Sequence, residues 1–156
     1  MIHSVNNGWT MTTNLPRAVP FKDGLFHIAE DASDEAFLIG SRCRDCGLVT
    51  FPSRKVCPAC VRDDVMEEVH IGKYAELVSF AVVRQAPEGF TPPFIQANVK
   101  IDEGPVFFSH IDGVVPKEDA LRVGQRLRLV IKTIRRDSED KEILAWAYRP
   151  LDEENN

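Results

Sequence analysis

Residues 43–60 have the sequence CRDCGLVTFPSRKVCPAC, in which two C-x-x-C pairs stand ten residues apart. The pairs are Cys43 with Cys46 and Cys57 with Cys60, and the chain has no other cysteine. Each pair places two thiolates on one tight turn, and two such turns complete a tetrahedron of soft ligands suited to Zn²⁺. Two disulfides, four unrelated thiols and a rubredoxin-like iron site are the alternatives that this spacing leaves open. We predict one structural zinc ion bound by the four cysteines.

A zinc ion with four thiolate ligands has no open coordination position for water or substrate, so it stabilises a fold and performs no chemistry. The predicted site also uses every thiol of the chain. A reaction that needs a cysteine nucleophile must therefore obtain it from another chain. We predict no catalytic residue here, and we expect His70 and His110 to be structural or interface residues.

The sequence around the cysteines predicts short β-strands. Residues 36–40 (AFLIG) and 48–51 (LVTF) are rich in apolar residues and lie beside the two cysteine pairs, with Pro52 ending the second strand. Together with the metal site they predict a zinc ribbon. Residues 1–35 contain several breaks at proline and glycine, which predicts an irregular extension that wraps over another surface.

Five further strands are predicted after Gly72, which we expect to act as a pivot. Their predicted ranges are residues 74–84, 94–101, 106–111, 125–134 and 143–148. The second of them alternates apolar and polar residues with period two, which is typical of a half-buried strand. A longer connection separates the third strand from the fourth, and no long helical pattern occurs. This arrangement predicts a five-stranded Greek-key barrel of the OB type, in which closure protects the strand edges.

The predicted fold class is therefore mainly β, with an N-terminal rubredoxin-like zinc ribbon followed by a five-stranded OB-fold barrel. A chain of 156 residues can hold such a metal-stapled module beside one small domain. The expected boundaries are 1–35 for the extension, 36–70 for the ribbon, 71–150 for the OB-fold domain and 151–156 for a C-terminal tail.

Composition limits the function and the compartment. No apolar run approaches the roughly 20 residues that a membrane helix needs. The N-terminal residues lack the basic region and apolar core of a secretory signal. Cysteines at metal-ligand spacing favour a reducing compartment, so we expect a cytoplasmic protein. The net charge of -5 argues against non-specific nucleic-acid binding, which depends on neutralising phosphates.

Charge is concentrated in the predicted ribbon. Residues 41–62 carry a charge of +4, and the remainder of the chain carries -9. The basic residues there are Arg42, Arg44, Arg54, Lys55 and Arg62. They are expected either to screen the thiolates or to contact an anionic ligand or partner. In the predicted barrel, Phe90 and Phe94 lie among prolines in a loop that is expected either to dock on a partner or to plug the barrel.

The ribbon and barrel together resemble the acyl-CoA-associated OB-fold family with an N-terminal rubredoxin-like zinc ribbon, which is classified as a domain of unknown function. The resemblance covers about residues 36–150. Its motifs are GSRCRDCGLVTFPSRKVCPAC, then VSFAVVRQAPEGFTPPFIQANVKIDEG, then the terminal YRP. One departure is Val61, where many members have glycine after the last cysteine. This departure affects the turn and leaves the four metal ligands in place.

The resemblance implies a partner subunit. Members of this family accompany thiolase-fold proteins, and some accompany aldolases or hydratases that act on CoA thioesters. The resemblance favours the non-catalytic small subunit of a two-component acyl-CoA thiolase, with benzoylsuccinyl-CoA as one candidate substrate for C–C bond cleavage. A hetero-oligomer with a thiolase-fold catalytic subunit is then expected.

The same resemblance implies that the basic residues and the two phenylalanines bind acyl-CoA or the partner. These residues are Arg42, Arg44, Arg54, Lys55, Arg62, Phe90 and Phe94. Two alternatives are the partner subunit of an acyl-CoA aldolase or hydratase and a zinc-ribbon and OB-fold nucleic-acid-binding protein. A free-standing enzyme is a third alternative, and turnover of an acyl-CoA by the isolated chain would establish it.

Overall fold

The computed structural model describes residues 18–151. Within that range the chain forms ten β-strands and no helix, and hence no helix long and apolar enough to cross a membrane. The strands are β1 Ala18–Pro20, β2 Phe26–His27, β3 Phe37–Cys43, β4 Val49–Thr50, β5 Met66–Ile71, β6 Tyr74–Val83, β7 Phe94–Ile101, β8 Val106–Ile111, β9 Arg126–Arg136 and β10 Glu142–Pro150.

The last five strands close into a barrel. Antiparallel pairing joins β6 with β7, β7 with β8, β6 with β9, and β9 with β10. A short parallel contact between β8 and β10 completes the circle. This order confirms the predicted five-stranded OB-fold barrel. The bounds of β7 and β8 agree with the prediction, whereas β9 continues two residues beyond the predicted end at residue 134.

Alternating side chains fill the barrel. On β7, Ile95, Ala97, Val99 and Ile101 face inward and are at most 2% exposed. The neighbouring strand β6 has a register shift between Leu77 and Ser79. A bulge of this kind changes which residues face inward, and it bends the strand. It therefore lets one long strand line two parts of the barrel wall.

The ribbon is built around β3. Strand β5 pairs with β3 along one edge, while β2 and β4 pair with its other edge. The extension that was expected to be irregular contains two short strands, β1 and β2. Strand β1 runs parallel to β10 of the barrel, and β2 runs antiparallel to β3 of the ribbon. The described part of the extension thus contacts both modules.

Ribbon and barrel share one hydrophobic core. Leu38 and Ile71 of the ribbon belong to the same buried cluster as the barrel interior. Phe51 directly follows β4, and its ring centroid lies 4.8 Å from that of Phe107 and 5.1 Å from that of Trp146. Aromatic pairs at this distance add stabilisation beyond their buried area. We call these packed rings of Phe51, Phe107 and Trp146 the aromatic seam.

Gly72 joins the two modules, but its surroundings differ from those of a free pivot. It is buried with a φ of +87°. The Tyr148 hydroxyl donates a hydrogen bond of 2.7 Å to the Gly72 carbonyl. A Cβ at this position would lie 2.7 Å from Leu38 Cδ1. The joint is therefore packed and hydrogen-bonded, and only glycine fits its conformation without strain.

The joint can be tested with Gly72→Ala. We expect it to lower the free energy of unfolding by about 2–5 kcal/mol, because left-handed strain adds about 1–2 kcal/mol and core overlap about 1–3 kcal/mol. The control is Gly24→Ala, where φ is +78° and a Cβ would meet nothing within 4 Å. Urea denaturation in zinc-containing buffer measures both variants. If both variants lost the same free energy of unfolding, the packing of Gly72 at the joint would be contradicted.

Candidate metal centre and adjoining surfaces

Two similar turns carry the four cysteines. In the first turn, the Gly47 N–H donates to the Cys43 carbonyl at 2.9 Å, and Gly47 has a φ of +76°. In the second turn, the Val61 N–H donates to the Cys57 carbonyl at 2.8 Å, and Val61 has a φ of +57°. Val61 therefore occupies the position that glycine has in the first turn. A β-branched residue is strained in this conformation.

The four sulfurs lie close together. Cys46 Sγ is 3.7 Å from Cys57 Sγ, and Cys43 Sγ is 3.9 Å from Cys60 Sγ. All four atoms lie within 4.8 Å of one another. Zn–S bonds of about 2.3 Å in a tetrahedron place the sulfurs about 3.8 Å apart, so the arrangement fits one zinc ion. A disulfide needs an S–S distance of about 2.05 Å, so no disulfide joins any of the four cysteines.

Backbone hydrogen bonds in the second turn favour the thiolate form of Cys57. The Cys60 N–H donates to Cys57 Sγ at 3.4 Å, and this hydrogen bond lowers the pKa of the Cys57 thiol to about 7. A thiolate is the form of cysteine that binds a metal. The turn thus supplies both the position and the charge of a ligand.

The ribbon has a small core of its own. Besides two cysteines, the cluster around the site contains only Val65 as a buried side chain, with Cys60 and Met66 packed against it. A core of this size contributes little, and small modules of this kind depend on their metal for folding. The zinc site is therefore the main source of order in the cysteine turns.

The structure separates the basic residues of the ribbon into two groups. Arg62 contacts Asp45 at 2.6 Å and Asp64 at 3.1 Å, which lowers the pKa of the Asp64 carboxyl. Arg44 donates to the Asp64 backbone carbonyl, and Arg42 lies opposite Glu67 in the sheet register. Arg62 is therefore paired with carboxylates of the ribbon, Arg44 is held by a backbone carbonyl, and Arg42 has an acidic neighbour on the adjoining strand.

Arg54 and Lys55 form the second group. Their side chains are exposed, and neither has an ion-pair partner within residues 18–151. The Arg54 N–H donates to Ser41 Oγ at 2.8 Å, and Ser41 Oγ lies 2.8 Å from Thr50 Oγ1. This buried serine positions the backbone of the loop. The loop therefore presents two unpaired cations from a defined backbone.

Phe90 and Phe94 lie on the outer wall of the barrel. Their ring centroids are 5.8 Å apart, and both rings stack on His110, at 6.3 Å and 4.9 Å. Neither phenylalanine belongs to the buried core of the barrel, so they do not act as its plug. Burial, together with the charge of Lys132, lowers the pKa of His110, so its ring is neutral at pH 7.

A pocket beside these rings contains residues that the sequence analysis did not select. It has a volume of about 220 Å³, and its lining includes Lys132, Arg135 and Arg136 near the end of β9. The predicted strand ended at residue 134 and therefore did not include the two arginines. The Arg136 N–H donates to the Gly89 carbonyl at 3.1 Å, which brings the end of β9 to the β6–β7 loop. No local pattern indicates this contact.

Two family models match adjoining parts of the chain. The rubredoxin-like zinc ribbon domain of ChsH2 matches residues 38–67, and the C-terminal OB-fold domain of ChsH2 matches residues 60–132. A DUF35 domain-containing scaffold protein of Methanocaldococcus jannaschii is 30% identical over 118 residues, covering 74% of this chain and 82% of that protein.

Two further proteins show more distant similarity. The benzoylsuccinyl-CoA thiolase subunit BbsA of Thauera aromatica is 23% identical over 115 residues, covering 74% of this chain and 77% of that subunit. The solved structure of the Ltp2–ChsH2(DUF35) aldolase superposes with a TM-score of 0.59 at 23% identity, covering 73% of this chain and 84% of the matched chain. The similarity to the aldolase structure shows a shared fold.

The metal site can be tested with Cys57→Ser. We expect the zinc content to fall from about one ion per chain to well below half, because three thiolates hold zinc much less tightly than four. Amide hydrogen exchange should accelerate over residues 43–66 and remain slow in β7 and β8. The control is Val56→Ser, which places the same new residue beside the ligand. Retention of zinc and of amide protection in the Cys57 variant would contradict the assignment.

The strain at Val61 gives a second test. We expect Val61→Gly to stabilise the ribbon by about 0.5–1 kcal/mol, because relief of left-handed strain exceeds the entropic cost of glycine. Zinc affinity measured by chelator competition should rise by about two- to fivefold at this energy. The control is Val56→Gly, at an exposed position without positive φ, which should weaken binding slightly. Weaker zinc binding by the Val61 variant would show that the strain is absent.

Proposed function

This chain belongs to the DUF35 family of zinc-ribbon and OB-fold scaffold proteins, and we propose that it is the non-catalytic small subunit of a complex that acts on acyl-CoA thioesters. One observation carries this proposal: all four thiols of the chain lie together in the ribbon site. Thiolase chemistry needs an activated cysteine that accepts the acyl group. In such a complex, that cysteine belongs to the partner.

The proposed partner is a thiolase-fold catalytic subunit. Support comes from the similarity to a protein named as a benzoylsuccinyl-CoA thiolase subunit, which extends over 74% of this chain. The proposed reaction is cleavage of a C–C bond in a CoA thioester, with benzoylsuccinyl-CoA as the specific candidate. Such a complex would work in the reducing cytoplasm, where four zinc-binding thiols remain stable.

An aldolase-type partner is the second candidate. Both family models describe domains of ChsH2, and ChsH2 is named as the DUF35 component of the Ltp2–ChsH2 aldolase. An aldolase and a thiolase both break a C–C bond in a CoA thioester, so this scaffold could serve either. The nature of the catalytic subunit distinguishes the two candidates.

Arg54 and Lys55 are the proposed contacts of the ribbon with the phosphates of CoA. They are exposed and unpaired within the described residues, unlike Arg62. CoA carries a diphosphate and a ribose phosphate, and guanidinium groups bind such oxygens with two parallel hydrogen bonds. In the complex, the loop that Ser41 holds would direct these two cations toward the bound CoA ester.

Co-purification tests the proposal directly. The tagged full chain is isolated from its native host, and the retained proteins are identified by mass spectrometry alongside metal analysis. Recovery of a thiolase-fold protein with about one zinc ion per chain supports the proposal. Recovery of an aldolase supports the second candidate. A zinc-bearing chain that retains no enzyme, or one that retains nucleic acid, contradicts both.

The role of the basic loop is tested in the reconstituted complex by the double variant Arg54→Glu with Lys55→Glu. We expect the KM for the CoA ester to rise by about three- to tenfold, with kcat and complex formation unchanged, because two partly exposed charge contacts are lost. The control reverses two exposed cations of the barrel, Lys117→Glu with Arg122→Glu. Unchanged complex formation together with an unchanged KM would exclude the loop as a CoA contact.

A further inference from the structure

The outer wall of the barrel carries two neighbouring pockets that share two lining residues. The cationic pocket of about 220 Å³ lies between the β6–β7 loop and the end of β9. A second pocket of about 190 Å³ is lined mainly by apolar groups, including Phe108, Ala145 and Trp146. His110 and Ile134 line both pockets. A ligand with one anionic part and one apolar part could therefore occupy both.

The cationic pocket has an unusual lining for an acidic protein. Lys132, Arg135 and Arg136 contribute to it, and none of its lining residues is a carboxylate, although the chain has a net charge of -5. Arg136 also contacts two acids of the β9–β10 turn region, and Lys132 lies 3.4 Å from Asp112. Arg135 has no ion-pair partner within residues 18–151. Arg135 is thus the cation best placed to bind an anion.

Aromatic rings surround the junction of the pockets. Phe94 stacks on His110 with an angle of 23° between the ring planes. Phe108 lines the apolar pocket and is 69% exposed, an unusual exposure for such a large apolar side chain. An exposed ring next to a cationic pocket suits a planar, charged ligand, because stacking and phosphate contacts then act together.

We propose that these neighbouring pockets together bind a nucleoside phosphate, with the base against Phe108 and the phosphate near Arg135 and Lys132. The position is the one that OB folds use for ligands, beside the loops that follow the first and fourth barrel strands. Each pocket is smaller than the roughly 300 Å³ of a typical drug-sized site, which limits the occupant to one base and its phosphates. The inference stands on this geometry and is independent of any partner enzyme.

The charge distribution favours a mononucleotide over a nucleic-acid strand. Strand binding requires a basic groove that follows several phosphates. Here the cations are confined to one pocket, and Asp112, Asp140 and Glu142 lie directly beside them. The phosphates of neighbouring nucleotides along a strand would therefore meet acidic side chains.

The experiment is calorimetric titration of the zinc-loaded full chain with adenosine 3′,5′-bisphosphate, the nucleotide end of CoA. Parallel titrations use ADP, adenosine, inorganic phosphate and a nine-nucleotide oligothymidine. We expect the two nucleotides to bind at least tenfold more tightly than adenosine or phosphate alone. If the bisphosphate binds more tightly than ADP, CoA is the source of the nucleotide, and equal affinities indicate a general nucleotide site.

Matched variants locate the binding site. Phe108→Ser and Arg135→Glu should each weaken nucleotide binding about tenfold or more, as expected for loss of one stacked ring or one phosphate contact. Their controls are Val106→Ser, on the same strand, and Arg122→Glu, elsewhere on the barrel.

Absence of nucleotide binding, or binding that neither variant weakens, overturns the proposal. Tighter, strongly salt-dependent binding of the oligonucleotide overturns it in favour of a nucleic-acid surface. None of these outcomes decides whether the chain co-purifies with an enzyme.

Discussion

The requirement that four sulfurs surround one ion at about 2.3 Å orders the ribbon, and through it the packing of the ribbon against the barrel. It brings together two turns that have few buried apolar side chains of their own. Phe51 directly follows β4, so the position of its ring depends on the order of this hairpin. The aromatic seam between Phe51, Phe107 and Trp146 then joins the ribbon to the barrel. A site without chemistry of its own thus determines how the two modules meet.

The shared core makes the ribbon and the barrel a continuous unit. Leu38 and Ile71 pack with the barrel interior, and the Tyr148 hydroxyl bonds to the joint at Gly72. Packed interiors of this kind deform little. Surfaces on the two modules are therefore held in a fixed relation to each other, which suits a protein that positions other components.

Some cations of this protein are paired with nearby carboxylates. Arg62 is paired within the ribbon, and Arg126 forms a two-pronged contact with Asp102 on the barrel. Surface pairs of this kind contribute little to stability. Arg54, Lys55 and Arg135, in contrast, have no ion-pair partner within residues 18–151. Anionic groups would be attracted to these places rather than to the protein as a whole.

The sequence by itself determined the zinc site and the fold class. Ligand chemistry depends on residue identity and short spacing, and period-two alternation marks a strand such as β7 without reference to its neighbours. Only the tertiary structure decided the pairing of strand β1, the burial of Gly72, and the two pockets that Arg135 and Phe108 respectively line. Each of these depends on segments far apart in the chain, such as β1 with β10 or Gly89 with Arg136. Local sequence patterns carry no information about such contacts, because they form only when the barrel closes.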